Sequence, residues 1–427
     1  MEGSNEESSV GDCVMPSNRT RNASADQKPN SHYPTDMDNH NESVPHIDTS
    51  GYMPHELDEK TEALLSMSIR IDPQNPFDSD TIQEFLSNLP QPLSTFSNYV
   101  DCHDEEMEPV TQTIVSFGGD LYSVEKLIGK GGYATVYKAS TMNFSSSGDM
   151  QEDISAMKIE KPGNPWEFYI CSVISERLRN LSSLVDVSQA MMSIQKGYFF
   201  QNASCLVTEY FAQGTMLDLV NLVRKLKIQV HQSIAMYWAI ELIRVVESLQ
   251  KCDIIHGDIK PDNFLVRGLQ ALPMSSDPDV VFGGQFRPFH LIDFGQSIDM
   301  TKYPPGTTFM ATVKTSGFQC IEMKTNMPWT YQTDMFGLAG TLHVLLFGQY
   351  MKVYKTKDEW RMNSTINRSW TTLWKSFFHT MLNVPSCFEL PDLGEIRRQF
   401  ESYFIENLLK GFNKQQGDLQ MLLLNQG

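Results

Sequence analysis

Two patterns of apolar spacing follow one another along the chain, and their order limits the folds that it can adopt. Short segments with alternating apolar residues come first, at 121–140 and 154–160, with glycines between them. Longer segments with apolar residues at helical spacing follow, at 165–181 and 233–250. Alternation is typical of strands, and a spacing of three to four is typical of amphipathic helices. We therefore predict an α+β fold in which a small β-rich lobe precedes a larger helical lobe.

Composition changes along the chain and indicates its domain organisation. The first 110 residues hold 22 of the 52 acidic residues but only 5 of the 34 basic ones. Residues 1–65 are polar and poor in aliphatic side chains, which predicts a disordered segment. Residues 66–110 contain a short helical pattern and an acidic linker, and we interpret them as an extension that docks on the next domain. Residues 111–427 are predicted to form that domain.

The same features argue against several classes of function. Apart from its acidic start the chain is close to neutral, which disfavours direct readout of nucleic acid because that needs a basic face. The 7 cysteines are scattered without a C-x-x-C pair, which indicates reduced thiols and no structural zinc. We expect no secretory signal and no membrane segment. The nearly apolar run at 335–348 is shorter than the roughly 20 residues that a bilayer requires, and it predicts a buried helix.

A glycine-rich stretch and a lysine point to an anionic ligand. In IGKGGYATV, the glycines Gly129, Gly131 and Gly132 let backbone N–H groups approach anionic oxygens, because no Cβ obstructs them and positive φ is allowed. A plain hairpin turn is an equally good interpretation of this stretch alone. Lys158, in an apolar strand pattern, needs a partner because a buried ammonium is costly. Glu167 is the candidate partner, and a surface salt bridge is the alternative.

Two further motifs place acidic and amide groups at fixed spacing. In DIIHGDIKPDNFLV, Asp258 can take or orient a hydroxyl proton, Lys260 can neutralise a transferring phosphoryl group, and Asn263 offers an oxygen to Mg²⁺. In LIDFGQS, Asp293 follows apolar strand residues, where a carboxylate could hold a Mg²⁺ that bridges two phosphates. The order of the four motifs makes a chance match negligible.

Together these residues resemble the motif set of the protein kinases: a glycine-rich loop, a strand lysine with its helix glutamate, D-x-K-x-x-N, and D-F-G. The resemblance covers residues 115–412 and implies a bilobal fold that uses ATP and Mg²⁺. It implies that Asp258 is the catalytic base, that Lys260 contacts the γ-phosphate, and that Asn263 and Asp293 bind the metal. Lys260 is also the lysine of serine/threonine kinases, which favours Ser and Thr hydroxyls as acceptors. Asp334 resembles the buried Asp that supports the catalytic loop.

The resemblance also implies a nucleotide-binding set. Lys158 would hold the α and β phosphates and Glu167 would steady it. VTEYF resembles a hinge, with Thr208 as gatekeeper and backbone groups of Glu209 and Phe211 facing adenine. The implied cofactor-binding residues are Ile128, Gly129, Lys130, Gly131, Gly132, Tyr133, Ala134, Val136, Lys158, Glu167, Thr208, Glu209 and Phe211.

Longer strings resemble one kinase family more specifically. NPWEFYICSVISERL, IIHGDIKPDNFLV, LIDFGQSIDM, KTSGFQCIEM and FGQYMKV are similar to the kinase domain of the Bub family of spindle-assembly checkpoint kinases, and NPFDSDTIQEFLSNLPQP resembles the extension that packs on its N-terminal lobe. The resemblance implies a mitotic kinase of nucleus, kinetochore and cytoplasm that phosphorylates a core histone tail, as in nucleosomes, and checkpoint proteins. The tetratricopeptide-like domain and the Bub3-binding motif of that family are not visible, which leaves a fragment and a short form as alternatives.

Gly257 departs from the common kinase pattern, in which an arginine at this position pairs with a phosphorylated residue of the activation segment. We therefore expect residues 293–322 to be held by their own packing and to be regulated through the extension or partners. The hydroxyls still open to modification belong to Thr301, Thr307, Thr308, Thr312, Thr315 and Ser316.

Two other functions are alternatives to an active kinase. A pseudokinase scaffold would have lost Lys158, Asp258, Asn263 or Asp293, and all four are present. A pure interaction module would use the acidic start of the chain as a partner-binding tail, but that segment has no amphipathic or repeated motif before the extension, so a solvated linker is favoured. We expect the active kinase to be a monomer.

Overall fold

The computed structural model describes six stretches of the chain, at residues 75–110, 113–144, 150–181, 185–313, 317–366 and 372–424. These stretches belong to one compact unit. The predicted disordered segment, residues 1–65, lies outside the described residues, as do residues 66–74 of the predicted extension.

A curled sheet of seven strands forms the N-terminal lobe. The strands lie in the order β1-β6-β7-β5-β4-β3-β2, and each pair is antiparallel except β1 with β6, which is parallel. Two helices accompany the sheet, α1 (Ser79–Ser87) and α2 (Pro165–Asn180). The strands are β1 (Tyr99–Cys102), β2 (Ile114–Phe117), β3 (Asp120–Lys130), β4 (Ala134–Phe144), β5 (Met150–Glu160), β6 (Ile194–Phe200) and β7 (Ser204–Glu209).

Helices dominate the second lobe, and the predicted α+β order is confirmed. The helices are α3 (Met216–Lys225), α4 (Gln232–Lys251), α5 (Pro278–Phe282), α6 (Ile321–Lys324), α7 (Gln332–Phe347), α8 (Thr372–Leu382), α9 (Leu393–Asn407) and α10 (Leu409–Leu424). Three short antiparallel pairs complete the lobe, β8 (Ile254–Ile255) with β11 (Ile298–Asp299), β9 (Phe264–Val266) with β10 (Phe289–Leu291), and β12 (Val353–Lys355) with β13 (Trp360–Met362).

Two of these helices form the centre of the helical lobe. Helix α4 is buried from Ser233 to Leu249, and helix α7 from Gln332 to Leu345. A helix that is apolar on all sides must be enclosed by other elements, and the apolar run at 335–348 lies largely within α7. Within the described part of the chain, no helix has both the length and the hydrophobicity that a bilayer span requires.

The residues before the sheet contact both lobes. Asp78 caps α1 by accepting a hydrogen bond from the Thr81 amide at 2.9 Å. Phe85 on α1 is 5% exposed and lies between Trp166 of α2, with ring centroids 6.3 Å apart, and Tyr303, at 5.2 Å. Since Tyr303 follows strand β11, one aromatic side chain joins helix α2 to a segment of the helical lobe.

The edge strand β1 was not predicted from the sequence. Tyr99 and its neighbours pair in parallel with β6, and the Tyr99 ring stacks on Phe199 at 4.3 Å. The same ring contacts Phe168 of α2 edge-on at 5.7 Å. Strand β1 therefore spans the end of the predicted extension and the start of the acidic linker, and it is part of the sheet itself.

We predict that Phe85→Ala lowers the free energy of unfolding by about 3 kcal/mol, because a buried aromatic ring between two elements leaves a cavity when it is removed. Urea denaturation of the purified chain would measure the change. The matched control is Phe388→Ala, at a ring that is 74% exposed, where the change should stay below about 0.5 kcal/mol. Equal losses in the two variants would contradict the role given to Phe85.

Candidate functional site

Lys158 lies where the two lobes meet. It stands on β5 opposite Val136 of β4 on one side and Leu206 of β7 on the other. Its Nζ lies 2.6 Å from Oε2 of Glu167 and 2.8 Å from Oδ1 of Asp293. The structure therefore brings the lysine, the helix glutamate and the aspartate of D-F-G into direct contact.

A further carboxylate that sequence reasoning missed lies beside this lysine. Oε1 of Glu160 is 3.2 Å from Nζ of Lys158. Side chains two apart on a strand point to the same face, so the pattern K-x-E on β5 was the signal that would have found it. The cleft thus places one ammonium among three carboxylates, of Glu160, Glu167 and Asp293.

The pKa values of the four groups in this cluster are shifted in different directions. Burial alone would lower the pKa of Lys158, but Asp293, Glu167 and Glu160 raise it well above its ordinary value. The lysine in turn holds the pKa of Asp293 well below its usual range. Burial raises the pKa of Glu167 and of Glu160. The protonated form is thus favoured at Glu167 and Glu160, while Asp293, whose side chain is 45% exposed, keeps the negative charge that a bound cation would meet.

Glu167 also fixes the backbone that follows Asp293. Its second oxygen, Oε1, accepts a hydrogen bond from the Phe294 amide at 3.0 Å. The Phe294 side chain is fully buried, and its ring lies 4.8 Å from that of His256. Helix α2, the D-F-G segment and the catalytic loop are therefore joined through two neighbouring contacts.

The catalytic-loop residues lie close together, as their spacing suggested. Nζ of Lys260 is 2.5 Å from Oδ2 of Asp258. Nδ2 of Asn263 donates to the Asp258 carbonyl at 2.9 Å and lies 3.2 Å from Oδ2 of the same residue. These contacts orient the Asp258 carboxylate between a cation and an amide.

Asp334 supports this loop by binding two of its backbone amides. Its two oxygens accept hydrogen bonds from the amides of His256 at 2.6 Å and Gly257 at 2.8 Å. Burial raises the pKa of Asp334 to about 7 although both amides lower it. The first turn of the catalytic loop is thus anchored on helix α7, in the place that the sequence indicated for this carboxylate.

The backbone at Gly257 requires a glycine. Its φ is +77°, and a Cβ built there would lie 2.7 Å from the carbonyl oxygen of Gln296. A side chain at this position would meet the activation segment and adopt a strained conformation. The absence of an arginine at Gly257 is therefore matched by a local backbone that excludes any larger residue.

Asn263 and Asp293 hold oxygen atoms that suit a magnesium ion. They lie at the ends of neighbouring strands, where the Ile292 amide donates to the Asn263 carbonyl at 2.9 Å. Because Nδ2 of Asn263 faces Asp258, its Oδ1 is the atom available to a cation. One carboxylate, one amide oxygen, substrate phosphates and water form a ligand set of the kind that Mg²⁺ prefers.

The glycine-rich stretch forms the turn between β3 and β4. The strands pair up to Gly129 opposite Val136 and Lys130 opposite Thr135, after an irregularity in register at Ile128, and the Gly131 amide donates to the Ala134 carbonyl at 2.7 Å. A Cβ at Gly132 would have no neighbour within 4 Å. The positive-φ glycines of the described chain lie elsewhere, so this turn does not depend on a left-handed backbone. The neighbouring Tyr133 is 70% exposed.

The predicted hinge residues lie at the end of β7 and just after it, where the chain enters the helical lobe. Thr208 pairs with Ala156 of β5, next to the strand position of Lys158. The Glu209 carboxylate lies 3.6 Å from Arg267, whose guanidinium is 5.7 Å from the centre of the Phe211 ring. The end of β7 is therefore held against the second lobe through Arg267.

Comparison with known proteins places this geometry in a family. Residues 122–411 match the protein kinase domain family. The mitotic checkpoint serine/threonine-protein kinase BUB1 of Mus musculus is 37% identical over 77% of this chain and 30% of its own length. The spindle assembly checkpoint serine/threonine-protein kinase BUB1 of Saccharomyces cerevisiae is 35% identical over 73% of this chain and 32% of its own.

A solved structure gives the same result. The crystal structure of the BubR1 kinase domain matches with a TM-score of 0.70 and 30% identity, and the match covers 82% of this chain and 99% of that one. The chain thus covers about a third of the length of its curated relatives and nearly all of a solved kinase domain. This chain belongs to the protein kinase family, and its catalytic domain is of the Bub type.

Proposed function

We propose that the chain is an active serine/threonine protein kinase of the mitotic spindle-assembly checkpoint. The observation that carries the proposal is the continuous set of contacts from Glu167 through Lys158 to Asp293. Burying these charges costs free energy even when they are paired, so the retention of all three residues favours an active site over a decayed one.

The proposed reaction transfers the γ-phosphoryl group of ATP to a Ser or Thr hydroxyl. The hydroxyl oxygen bonds to the γ-phosphorus, the bond from that phosphorus to the bridging oxygen breaks, and ADP leaves. Asp258 takes or orients the hydroxyl proton, Lys260 neutralises charge on the transferring group, and Lys158 holds the α and β phosphates. When bound at Asn263 and Asp293, Mg²⁺ would supply charge neutralisation at the phosphates.

The nucleotide would be enclosed by the residues of the turn and hinge. Open space above Gly132 lets backbone amides approach phosphate oxygens, and the backbone of Glu209 and Phe211 is proposed to face the adenine. The full proposed set is Ile128, Gly129, Lys130, Gly131, Gly132, Tyr133, Ala134, Val136, Lys158, Glu167, Thr208, Glu209 and Phe211.

The biological assignment rests on the Bub relatives, whose names state a mitotic checkpoint role. The proposed acceptors are a core histone tail, as in nucleosomes, and checkpoint proteins. The proposed locations are the nucleus, kinetochores in mitosis and the cytoplasm, and the proposed state is a monomer.

Regulation through the extension is part of the proposal. Phe85 packs against Trp166 of α2 and against Tyr303, and Phe77 stacks near Trp329 with centroids 6.4 Å apart. Gly257 provides no guanidinium for a phosphate. The extension is therefore proposed to hold helix α2 and the activation segment together.

We predict that Asp258→Asn lowers kcat by about 10²- to 10⁴-fold, the usual contribution of a positioned acid or base. Transfer of radiolabel from ATP to a histone substrate would measure it, with nucleotide affinity followed separately. Asp253→Asn makes the same chemical change on an exposed residue just before the loop and should leave kcat unchanged. Equal transfer by wild type and Asp258→Asn would leave the pseudokinase scaffold as the better assignment.

A second prediction concerns phosphorylation of the activation segment. Treatment of the purified chain with a phosphatase, confirmed by mass spectrometry, should leave kcat within about twofold, because no arginine at Gly257 depends on a phosphate. The phosphatase is removed before the kinase assay. Loss of activity that returns on rephosphorylation between residues 293 and 322 would refute this form of regulation.

A further inference from the structure

A buried carboxylate in the activation segment has no place in the chemistry described so far. Asp299 lies in strand β11, with its side chain fully buried. Arg177, near the end of helix α2, binds it with both terminal nitrogens, Nη1 to Oδ1 at 2.9 Å and Nη2 to Oδ2 at 2.9 Å. Two parallel, charge-assisted hydrogen bonds of this kind are strong and geometrically specific.

The remaining donors around this carboxylate come from two elements. The hydroxyl of Tyr169, also on α2, donates to Oδ2 at 2.7 Å, and burial raises the pKa of Tyr169 so that the hydroxyl keeps its proton. The amide and the hydroxyl of Thr301 donate to Oδ1 at 3.1 Å and 2.8 Å. Five hydrogen bonds therefore compensate the cost of burying Asp299.

Arg177 connects this carboxylate to the catalytic loop as well. Its Nη1 donates to the Cys252 carbonyl at 2.6 Å, just before the strand that leads to Asp258. The backbone of Asp299 is paired with Ile254 in that same strand, β8. One guanidinium thus fixes helix α2, the activation segment and the entry to the catalytic loop at a single point.

In kinases that are switched by phosphorylation, a phosphate paired with arginine orders the activation segment. Here an Arg–carboxylate pair makes the same kind of connection without a modification. Tyr169 and Arg177 lie two helical turns apart on α2, so two attachments fix both the rotation and the position of a rigid helix. Glu167 lies on that helix and holds Lys158.

We propose that Asp299 is a positioning residue that acts, through Arg177 and Tyr169, as a permanent anion in the role of a regulatory phosphate. The inference rests on the proposed kinase function, because the position that it maintains is that of Glu167 against Lys158. The ion pair holds α2 in the arrangement required for phosphoryl transfer whether or not the chain is phosphorylated.

The test compares Asp299→Asn, Arg177→Gln and the double variant. Each single change removes one partner of the ion pair and frees helix α2 from the activation segment at this point, so kcat per folded molecule should fall by about 10- to 100-fold. The double variant should lose no more than the worse single variant, because all three remove the same interaction. Arg177→Lys keeps the positive charge but cannot make two parallel hydrogen bonds to the carboxylate, so its kcat should lie between those of Arg177→Gln and wild type. Arg179→Gln, at an exposed arginine on the same helix whose Nε donates to the Ser175 carbonyl, is the matched control and should match wild type.

Hydrogen exchange provides a readout that does not depend on activity. Amides of residues 165–180 and 298–303 should exchange at least about tenfold faster in Asp299→Asn than in wild type, while exchange in helix α4 stays unchanged. If wild type transferred no phosphate but the exchange result held, the kinase assignment would fail and the helix attachment would stand. Unchanged kcat and unchanged exchange in Asp299→Asn would overturn the proposal. So would losses that multiply in the double variant, since the two residues would then act separately.

Discussion

The contact between Lys158 and its three carboxylates is the interaction on which the rest of the structure depends. It joins a strand of the first lobe, a helix that crosses that sheet and the D-F-G segment of the second lobe. Each of these groups would be costly to bury alone, so the lobes must stay close enough for the ion pairs to persist. The neighbouring contacts, from Glu167 to the Phe294 amide and from Phe294 to His256, extend the same constraint into the catalytic loop.

Much of this site could be predicted because its residues carry short-range signals. Lys158 stands out in an apolar strand, and Asp258, Lys260 and Asn263 have a fixed spacing that places them on one turn. The pair formed by Arg177 and Asp299 joins residues 122 positions apart, and neither has an unusual local pattern. Such a contact depends on how α2 packs on the second lobe. The apolar spacing along the sequence does not determine that packing.

The architecture shows the same division between local and non-local information. The β-rich first lobe and the helical second lobe follow from periodicity and were predicted correctly. Strand β1 was missed because its four residues run into an acidic stretch and pair with β6, which is distant in the sequence. Gly257 illustrates the converse case: the sequence shows which side chain is absent, while the positive φ and the nearby Gln296 carbonyl explain why none can be accommodated.

The parallel pairing of β1 with β6 has a consequence for where this domain begins. On its other side β6 pairs with β7, so β1 alone covers the open edge of the sheet. A polypeptide that started at residue 111 would expose the backbone donors and acceptors of β6, together with the rings of Phe168 and Phe199 that Tyr99 covers. Uncovered sheet edges recruit strands from other molecules. We therefore expect that the smallest unit of this kinase that does not associate through this edge includes residues before the segment 122–411 that matches the kinase domain family.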